Sequence, residues 1–296
     1  MNKSNLTGFV LIFAIMMGFS WYQSRQYSKQ QQAQYQLDSI ARVEQMAAMA
    51  MDSMKRAQGL LPENEVNVKT MPAYKDSLLT EARLATESFC KLSNDKVEIE
   101  FTTRGAQPYS VKINDYMSYD STALCLITPG ASQYGISIYA GENINTKDFV
   151  FQVAEHTDST LVMQLPFADG GYIQQKFYLP ADSYMLQNEL SLVDMDGIIP
   201  RNVSMLDIDW SVIIPRLEKG YKNEKQYSNL DYYFSGDKKP ENMGRGRDGS
   251  ERIDTKLKWF AFQQQFFSAI MTAENEFASA DLSLKFFSEN EYRSEG

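Results

Sequence analysis

The residues of this chain that could support chemistry are few, and their spacing does not select a reaction. His156 is the only histidine, which excludes mechanisms that need two imidazole groups and most zinc sites. It lies in the sequence AEHTDS, predicted to be a turn between strands, and no G-x-S-x-G motif places a nucleophile beside it. We therefore predict no catalytic, cofactor-binding or metal-binding residue.

Two other patterns resemble ligand sites only superficially. The sequence GRGRDG, residues 244–249, has the glycine spacing of a dinucleotide-binding loop. Such a loop follows a strand and opens a helix, whereas this one follows DKKPEN, so we interpret it as a mobile loop. Asp194/Asp196 and Asp207/Asp209 are spaced like calcium ligands but lack the remaining ligands, and we interpret them as solvated carboxylates.

Charge and cysteine content limit the compartment and the partners. The 296 residues carry 29 Lys and Arg against 38 Asp and Glu, a net charge of −9. Phosphate contacts need a basic surface, so no nucleic-acid partner is expected. Cys90 and Cys125 would be able to pair in an oxidising compartment, but we favour two buried thiols, because a chain this long does not need a disulfide for stability.

The N-terminal segment predicts a membrane anchor. Residues 6–22 form an apolar run with no charged residue, and Trp21 and Tyr22 lie where an interfacial aromatic belt is expected. A cleaved signal peptide would need small residues after the run, whereas large aromatic residues follow it. A buried core helix is the third alternative. The nearby positive charges are balanced between the two sides, so they leave the orientation open.

Three regions follow from the composition: an anchor (1–25), a polar linker with a stalk helix (26–75), and a β-sandwich domain (76–296). The stalk helix rests on an apolar stripe at helical spacing over residues 37–54. A second short helix is predicted within residues 63–85, through Leu78, Leu79, Ala82 and Leu84.

From about residue 88 the apolar period changes from 3.6 to 2, which indicates antiparallel strands with one buried face. The predicted inward-facing sets are Val97, Ile99 and Phe101; Leu161, Met163 and Leu165; Tyr184, Leu186, Leu190 and Leu192; and Leu206, Ile208, Trp210 and Val212. Many strands with turn signals between them and no long helices predict a sandwich or barrel.

Two later segments leave alternatives open. Residues 216–257 are polar and are predicted to be one long loop, functional or mobile, with its tyrosines folding part of it back onto the sheet. The sequence KWFAFQQQFFSAI, residues 258–270, could be a binding surface, but a central strand covered on both faces is the interpretation that we favour.

Several stretches, taken in order, resemble one family. They are MNKSNLTGFVLIFAIMMGFSW, LSNDKVEIEFTTRGAQPYSVKINDYMSYD, YLPADSYMLQNELSLV and KWFAFQQQFFSAI. They are similar to the N-terminal half of the membrane protein insertase YidC in its Bacteroidetes form. The chain departs from that pattern at Gly105-Ala106, where the family has Gly-Gly, and at Phe266, where tyrosine is frequent.

The resemblance implies a first transmembrane helix with its N-terminus in the cytoplasm, followed by a periplasmic β-supersandwich. It implies a single-pass protein of the bacterial inner membrane that contacts the bilayer through residues 6–22. It also implies that this chain lacks the insertase bundle of the family and that the domain at residues 76–296 is truncated at its C-terminal end. The implied function is that of a scaffold or docking domain of an insertase or chaperone, not an enzyme. The implied partners are Sec translocon components and nascent membrane proteins.

Two other functions compete with that one. A membrane-anchored carbohydrate-binding or carbohydrate-active β-sandwich would use exposed aromatic residues together with His156. A stalked envelope adaptor would pair with another protein through the helix predicted over residues 37–58.

Overall fold

The computed structural model describes residues 74–201, 203 and 205–286. The predicted anchor at residues 6–22 and the predicted stalk helix lie outside these ranges. Within them, no helix is long and apolar enough to cross a membrane.

The described part of the chain is mainly β, and all of its strand pairs are antiparallel. Its helices are α1 (Ser77–Leu84), a 3-10 turn (Thr146–Asp148) and α2 (Tyr221–Tyr227). Its strands are β1 (Phe89–Ser93), β2 (Val97–Thr102), β3 (Gln107–Met117), β4 (Ala123–Ile127), β5 (Ser132–Tyr139), β6 (Asn143–Asn145), β7 (Gln152–His156), β8 (Thr160–Pro166), β9 (Tyr172–Tyr178), β10 (Gln187–Val193), β11 (Asp207–Val212), β12 (Asn229–Tyr233), β13 (Glu241–Met243), β14 (Gly249–Ile253), β15 (Leu257–Gln263), β16 (Ser268–Phe277) and β17 (Ala280–Leu284).

The strands form sheets ordered β1-β2-β3-β4, β10-β9-β8-β7, β11-β5-β6, β13-β12-β15-β16 and β14-β17. The larger apolar core lies between the first three sheets and includes Phe101 and Phe177, whose rings are 4.8 Å apart. A smaller core around Leu230 and Leu257 lies between the last two sheets.

The alternation predicted for β2 and β8 is confirmed. Val97, Ile99 and Phe101 are buried while Glu98 and Glu100 between them are half-exposed. Leu161, Met163 and Leu165 are likewise fully buried. Both strands lie inside their sheets, so each has a neighbour on both sides and one face against the core.

The prediction for β10 and β11 is wrong in part. Tyr184 lies before the strand and is 51% exposed, while Leu192 and Ile208 are 38% and 42% exposed. Leu190 and Trp210 do pack against the larger core. The physical reason is that β10 and β11 are edge strands, where the core covers only part of the inward face.

The prediction of one long loop over residues 216–257 is also wrong. This segment contains α2, β12, β13 and β14. Its inward residues Leu230, Tyr232 and Ile253 form most of the smaller core, so the expectation that a tyrosine folds back onto the sheet is confirmed. The strands β12, β13 and β14 are only three to five residues long, and in a polar segment strands this short show no clear apolar alternation.

The predicted short helix is confirmed as α1, and Asp76 is its N-cap residue. The Asp76 Oδ1 atom accepts hydrogen bonds from the backbone N–H groups of Leu78 and Leu79, at 2.8 and 3.1 Å. Its Oδ2 atom accepts one from the N–H of Ala168, at 2.8 Å, in the turn between β8 and β9. One carboxylate therefore caps the helix and ties it to a sheet.

Replacing this carboxylate should destabilise the domain measurably. We expect Asp76→Ala to lower the free energy of unfolding by about 1–2 kcal/mol, because it removes the helix cap and the link to Ala168. Asp76→Asn keeps an oxygen for the cap and should lose less. Urea denaturation followed by circular dichroism checks both variants, and an equal loss in both would contradict the capping role.

Candidate functional site

Two hairpin ends that are far apart in sequence meet on the surface. Tyr116 lies at the end of β3, and Phe267 lies in the turn between β15 and β16. Their rings meet edge to face, with centroids 5.4 Å apart and an interplanar angle of 86°. This arrangement is a favourable one for an aromatic pair, so it holds the two turns together.

A third segment, residues 215–217, locks the two turns in place. The side-chain amide of Gln264 donates to the carbonyl of Pro215 at 2.7 Å, and the N–H of Tyr119 donates to the carbonyl of Leu217 at 3.0 Å. The guanidinium of Arg216 lies 4.7 Å from the centre of the Tyr119 ring, a cation–π contact.

Polar bonds within the β3–β4 turn shape its tip. The Asp120 carboxylate accepts hydrogen bonds from the Ser118 hydroxyl and from the hydroxyl and N–H of Thr122, the last two at 2.7 and 3.1 Å. The Ser118 and Thr122 bonds lower the pKa of Asp120 to about 2. The carboxylate is therefore ionised, and the turn is held, throughout the physiological pH range.

These braced segments carry several exposed apolar side chains. Met117 is 73% exposed, Phe266 67%, Tyr116 50% and Tyr119 48%. We call these four residues, together with Phe267, the aromatic platform. Clustered exposed aromatic and methionine side chains are typical of protein-interaction surfaces, whereas single exposed apolar residues need no explanation.

Glu224 of α2 binds the segment that braces the two turns. Its Oε1 atom accepts hydrogen bonds from the N–H groups of Leu217 and Glu218, at 2.8 and 3.2 Å. The residue is 5% exposed, and burial raises the pKa of its carboxyl above the ordinary value, against the opposing effect of the two N–H donors.

The raised pKa of Glu224 predicts a pH dependence of stability. The folded state binds the proton more tightly, so the stability that protonation contributes is present below the unfolded-state pKa and is lost as pH rises through the folded pKa. Glu224→Gln removes this titration but keeps an oxygen acceptor. We expect the urea midpoint of wild type, relative to Glu224→Gln, to fall as pH rises above the ordinary glutamate pKa of about 4.3. A constant difference would contradict the assignment.

His156 ends β7 on the surface and is not part of a reactive cluster. Its Nε2–H group donates to the backbone carbonyl of Lys91 at 2.9 Å, in an open groove that also holds Thr157 and Asp158. Within the described residues, no three His, Cys, Asp or Glu side chains are gathered as metal ligands.

The glycine motif joins two strands. It follows β13, so the expectation that no strand precedes it is wrong, but it leads into β14 and not into a helix. Gly244 and Gly246 have φ values of +94° and +76°, and the N–H of Gly246 donates to the Ser228 carbonyl at 2.9 Å. A helix N-terminus that would hold a pyrophosphate is therefore not formed at this motif.

The aspartate pairs lie apart from the platform. Asp209, on β11, accepts a hydrogen bond from the side-chain amide of Asn145 at 3.3 Å, and Asp207 is exposed on the same strand. Asp194 adopts a φ of +53° in the turn after β10, and Asp196 is exposed.

The two cysteines are free thiols, as we favoured, although both are half-buried and not fully buried. Cys90 lies on β1 and Cys125 on β4, the two edge strands of one sheet. Three strand spacings of about 4.8 Å separate them, beyond the reach of a disulfide. Burial raises the pKa of both thiols.

The sequence KWFAFQQQFFSAI is divided by a turn. Its first part is β15, which lies between β12 and β16, so the prediction of a central strand is confirmed there. Its second part turns at residues 264–267 and exposes Phe266, which belongs to the platform. The sequence analysis missed Tyr116, Met117 and Tyr119; their signal was a run of large residues at the end of a strand, next to the turn residues Asp120 and Ser121.

Comparison with known proteins identifies the family of this domain. The family model of the YidC periplasmic domain matches residues 90–295. A membrane protein insertase YidC from Bacteroides fragilis is 31% identical over 287 residues, covering 96% of this chain and 45% of that protein. The same-named protein of Porphyromonas gingivalis is 28% identical over 294 residues, covering 96% of this chain and 46% of the relative.

The chain thus spans about half the length of the curated relatives it matches. A solved aldose 1-epimerase-like protein of Escherichia coli K12 aligns with a TM-score of 0.34 and 12% identity, over 60% of this chain and 71% of that one, a likeness too weak to carry an argument. The resemblance drawn from the sequence is confirmed by the family model and by the Bacteroidetes relatives. The chain belongs to the YidC periplasmic domain family.

Proposed function

We propose that this chain is the membrane-anchored periplasmic portion of an insertase that helps inner-membrane proteins insert and fold. Residues 1–25 would anchor it in the inner membrane as a single span, residues 26–75 would link it to the bilayer, and residues 76–296 would form the periplasmic domain. The match to the YidC periplasmic domain and the similarity to membrane protein insertases support this assignment.

The proposed architecture of the domain is a β-supersandwich. The antiparallel sheets and the two separate apolar cores support it, because extended sandwiches bury side chains between stacked sheets at more than one place.

Within the insertase we propose that the domain acts as a scaffold or docking surface and not as an enzyme. The aromatic platform is the observation that carries this proposal, because it presents apolar side chains on a support fixed by two hydrogen bonds and two ring contacts. The proposed partners are nascent membrane proteins and components of the Sec translocon. The apolar segments of a nascent membrane protein would be buried against such a surface.

Site-specific photocrosslinking tests the docking proposal. A benzoylphenylalanine at Met117 of the full chain should crosslink to a ribosome-bound nascent inner-membrane protein. The same probe at Leu84 is a matched control, because Leu84 is also 73% exposed but lies at the end of α1. Equal crosslinking from both positions would overturn the proposal.

The carbohydrate-binding alternative needs exposed aromatic residues together with His156. The Nε2–H group of His156 donates to the backbone carbonyl of Lys91, and the groove around it is lined by Lys91, Ser93, Thr157 and Asp158, none of which is aromatic. The docking function is therefore the one that we favour.

A further inference from the structure

The outer edge of β16 is an unpaired strand edge in the described part of the chain. β16 is ten residues long and pairs only with β15, at the end of its sheet. A strand edge carries a row of backbone N–H and C=O groups that another extended chain can pair with.

The register shows which groups point outward. The N–H of Gln264 donates to the carbonyl of Phe267, so these two residues form a hydrogen-bonded pair at the hairpin end. Hydrogen-bonded and non-hydrogen-bonded pairs alternate along an antiparallel ladder. Ser268, Ile270 and Thr272, opposite Gln263, Ala261 and Trp259, are therefore the residues whose backbone groups face away from β15.

This part of the edge lacks the usual protection against pairing. The six residues from Ser268 to Ala273 include no charge and no proline. The edge strands β10 and β11 carry Glu189 and Asp209 near their centres, charges of the kind that block pairing.

The chemistry of the edge selects its partner. Ile270 is 45% exposed and Phe266, two residues before β16 begins, is 67% exposed, so apolar contacts flank the free backbone groups. Beyond them Glu274 and Glu276 add negative charge, which favours a neutral or basic partner there. A lipid or a sugar offers no row of alternating donors and acceptors at strand spacing; an extended polypeptide does.

We propose that the edge of β16 from Ser268 to Ala273 binds an extended, uncharged segment of a polypeptide as an additional strand, with Phe266 and Ile270 forming its apolar contact. This inference rests on the proposed docking function and names the conformation of the bound client. Main-chain hydrogen bonds supply the affinity and make binding tolerant of sequence, which suits a surface that meets many nascent chains.

A defined peptide tests the proposal on the full chain in nanodiscs. The probe is a fluorescein-labelled peptide of alternating valine and threonine with a lysine at each end, followed by fluorescence anisotropy. We expect it to bind, and the same peptide methylated at alternate backbone nitrogens to bind at least about tenfold more weakly, because methylation removes the strand hydrogen bonds. Equal binding of both peptides, or binding of neither, would overturn the proposal.

Two variants locate the binding at β16. Ile270→Pro removes an outward N–H group that the added strand would need, so it should weaken binding by about tenfold. The variant should still fold, because proline is tolerated at edge strands. If circular dichroism shows that this variant is unfolded, Ile270→Lys decides, because a charge on the edge blocks pairing. Leu192→Lys, on the edge strand β10, is the matched control and should leave binding unchanged. Equal weakening at both positions contradicts the assignment.

Different experimental results would refute the docking proposal and the strand-addition proposal. Met117 lies on the platform but not on β16, so loss of its crosslink with retained peptide binding refutes the docking of nascent chains on the platform alone. Retained crosslinking without peptide binding refutes strand addition alone.

Discussion

Gly105→Ala should destabilise the domain by about 2–4 kcal/mol. Gly105 has a φ of +78°, where an alanine is strained, and a Cβ there would lie 2.9 Å from Gln107 Nε2 and 3.0 Å from Lys147 Cα. The turn cannot move away easily, because the N–H of Gly105 donates to the Phe149 carbonyl at 2.8 Å and its carbonyl accepts from the Gln175 amide at 3.3 Å. Urea denaturation of the full chain measures the loss.

The neighbouring residue is the matched control. Ala106 has a φ of +48° and is fully buried, at the position where the resembled family has glycine. Ala106→Gly relieves about 1 kcal/mol of backbone strain but removes a buried methyl group worth about as much, so we expect little net change. A large loss in Ala106→Gly, or none in Gly105→Ala, would contradict this reading of the turn.

Phe101→Ala should lower the free energy of unfolding by about 3–5 kcal/mol. The Phe101 side chain is 0% exposed and packs against Phe177 in the larger core, so its removal leaves a cavity that rigid sheets cannot fill. Loss of this much stability is a large fraction of the total for a domain, and the thermal midpoint should fall with it.

Phe89→Ala provides the comparison for that result. Phe89 also packs against an aromatic ring, that of Tyr109 with centroids 4.8 Å apart, but it is 48% exposed on β1. We expect a loss of about 0.5–1.5 kcal/mol, the range of an aromatic pair without full burial. Equal losses for the two phenylalanines would show that the core is not where the structure places it.

Local sequence pattern was enough to predict the interior of the fold. Val97, Ile99 and Phe101 alternate with charged residues because a strand turns successive side chains to opposite faces, a property of the backbone alone. The helix α1 was also predicted, since its apolar residues recur at helical spacing.

Features that depend on distant neighbours could not be predicted in this way. Leu192 and Ile208 alternate like core residues, but they are exposed because their strands end up at sheet edges. The strands within residues 216–257 are short and polar, and they are fixed by the smaller core that they form together. Sheet order and core assignment are not encoded in the period of one strand.

The platform was beyond prediction for the same reason. Its residues come from the end of β3, the turn that follows it and the β15–β16 turn, and residues 215–217 brace these segments. Only the folded chain brings the segments together. The aromatic run at residues 258–270 was singled out from the sequence as a candidate surface, but which of its rings are exposed follows from the turn at residues 264–267.

The affinity of the full chain in nanodiscs for a ribosome-bound nascent inner-membrane protein tests the docking function most directly. The variant Met117→Ser/Phe266→Ser removes the two most exposed side chains of the platform, and Leu84→Ser/Tyr184→Ser removes exposed apolar side chains elsewhere. We predict that the platform variant loses at least about tenfold in affinity, or about 1.4 kcal/mol, and that the control variant keeps the wild-type value. Equal affinities for all three proteins would contradict the account.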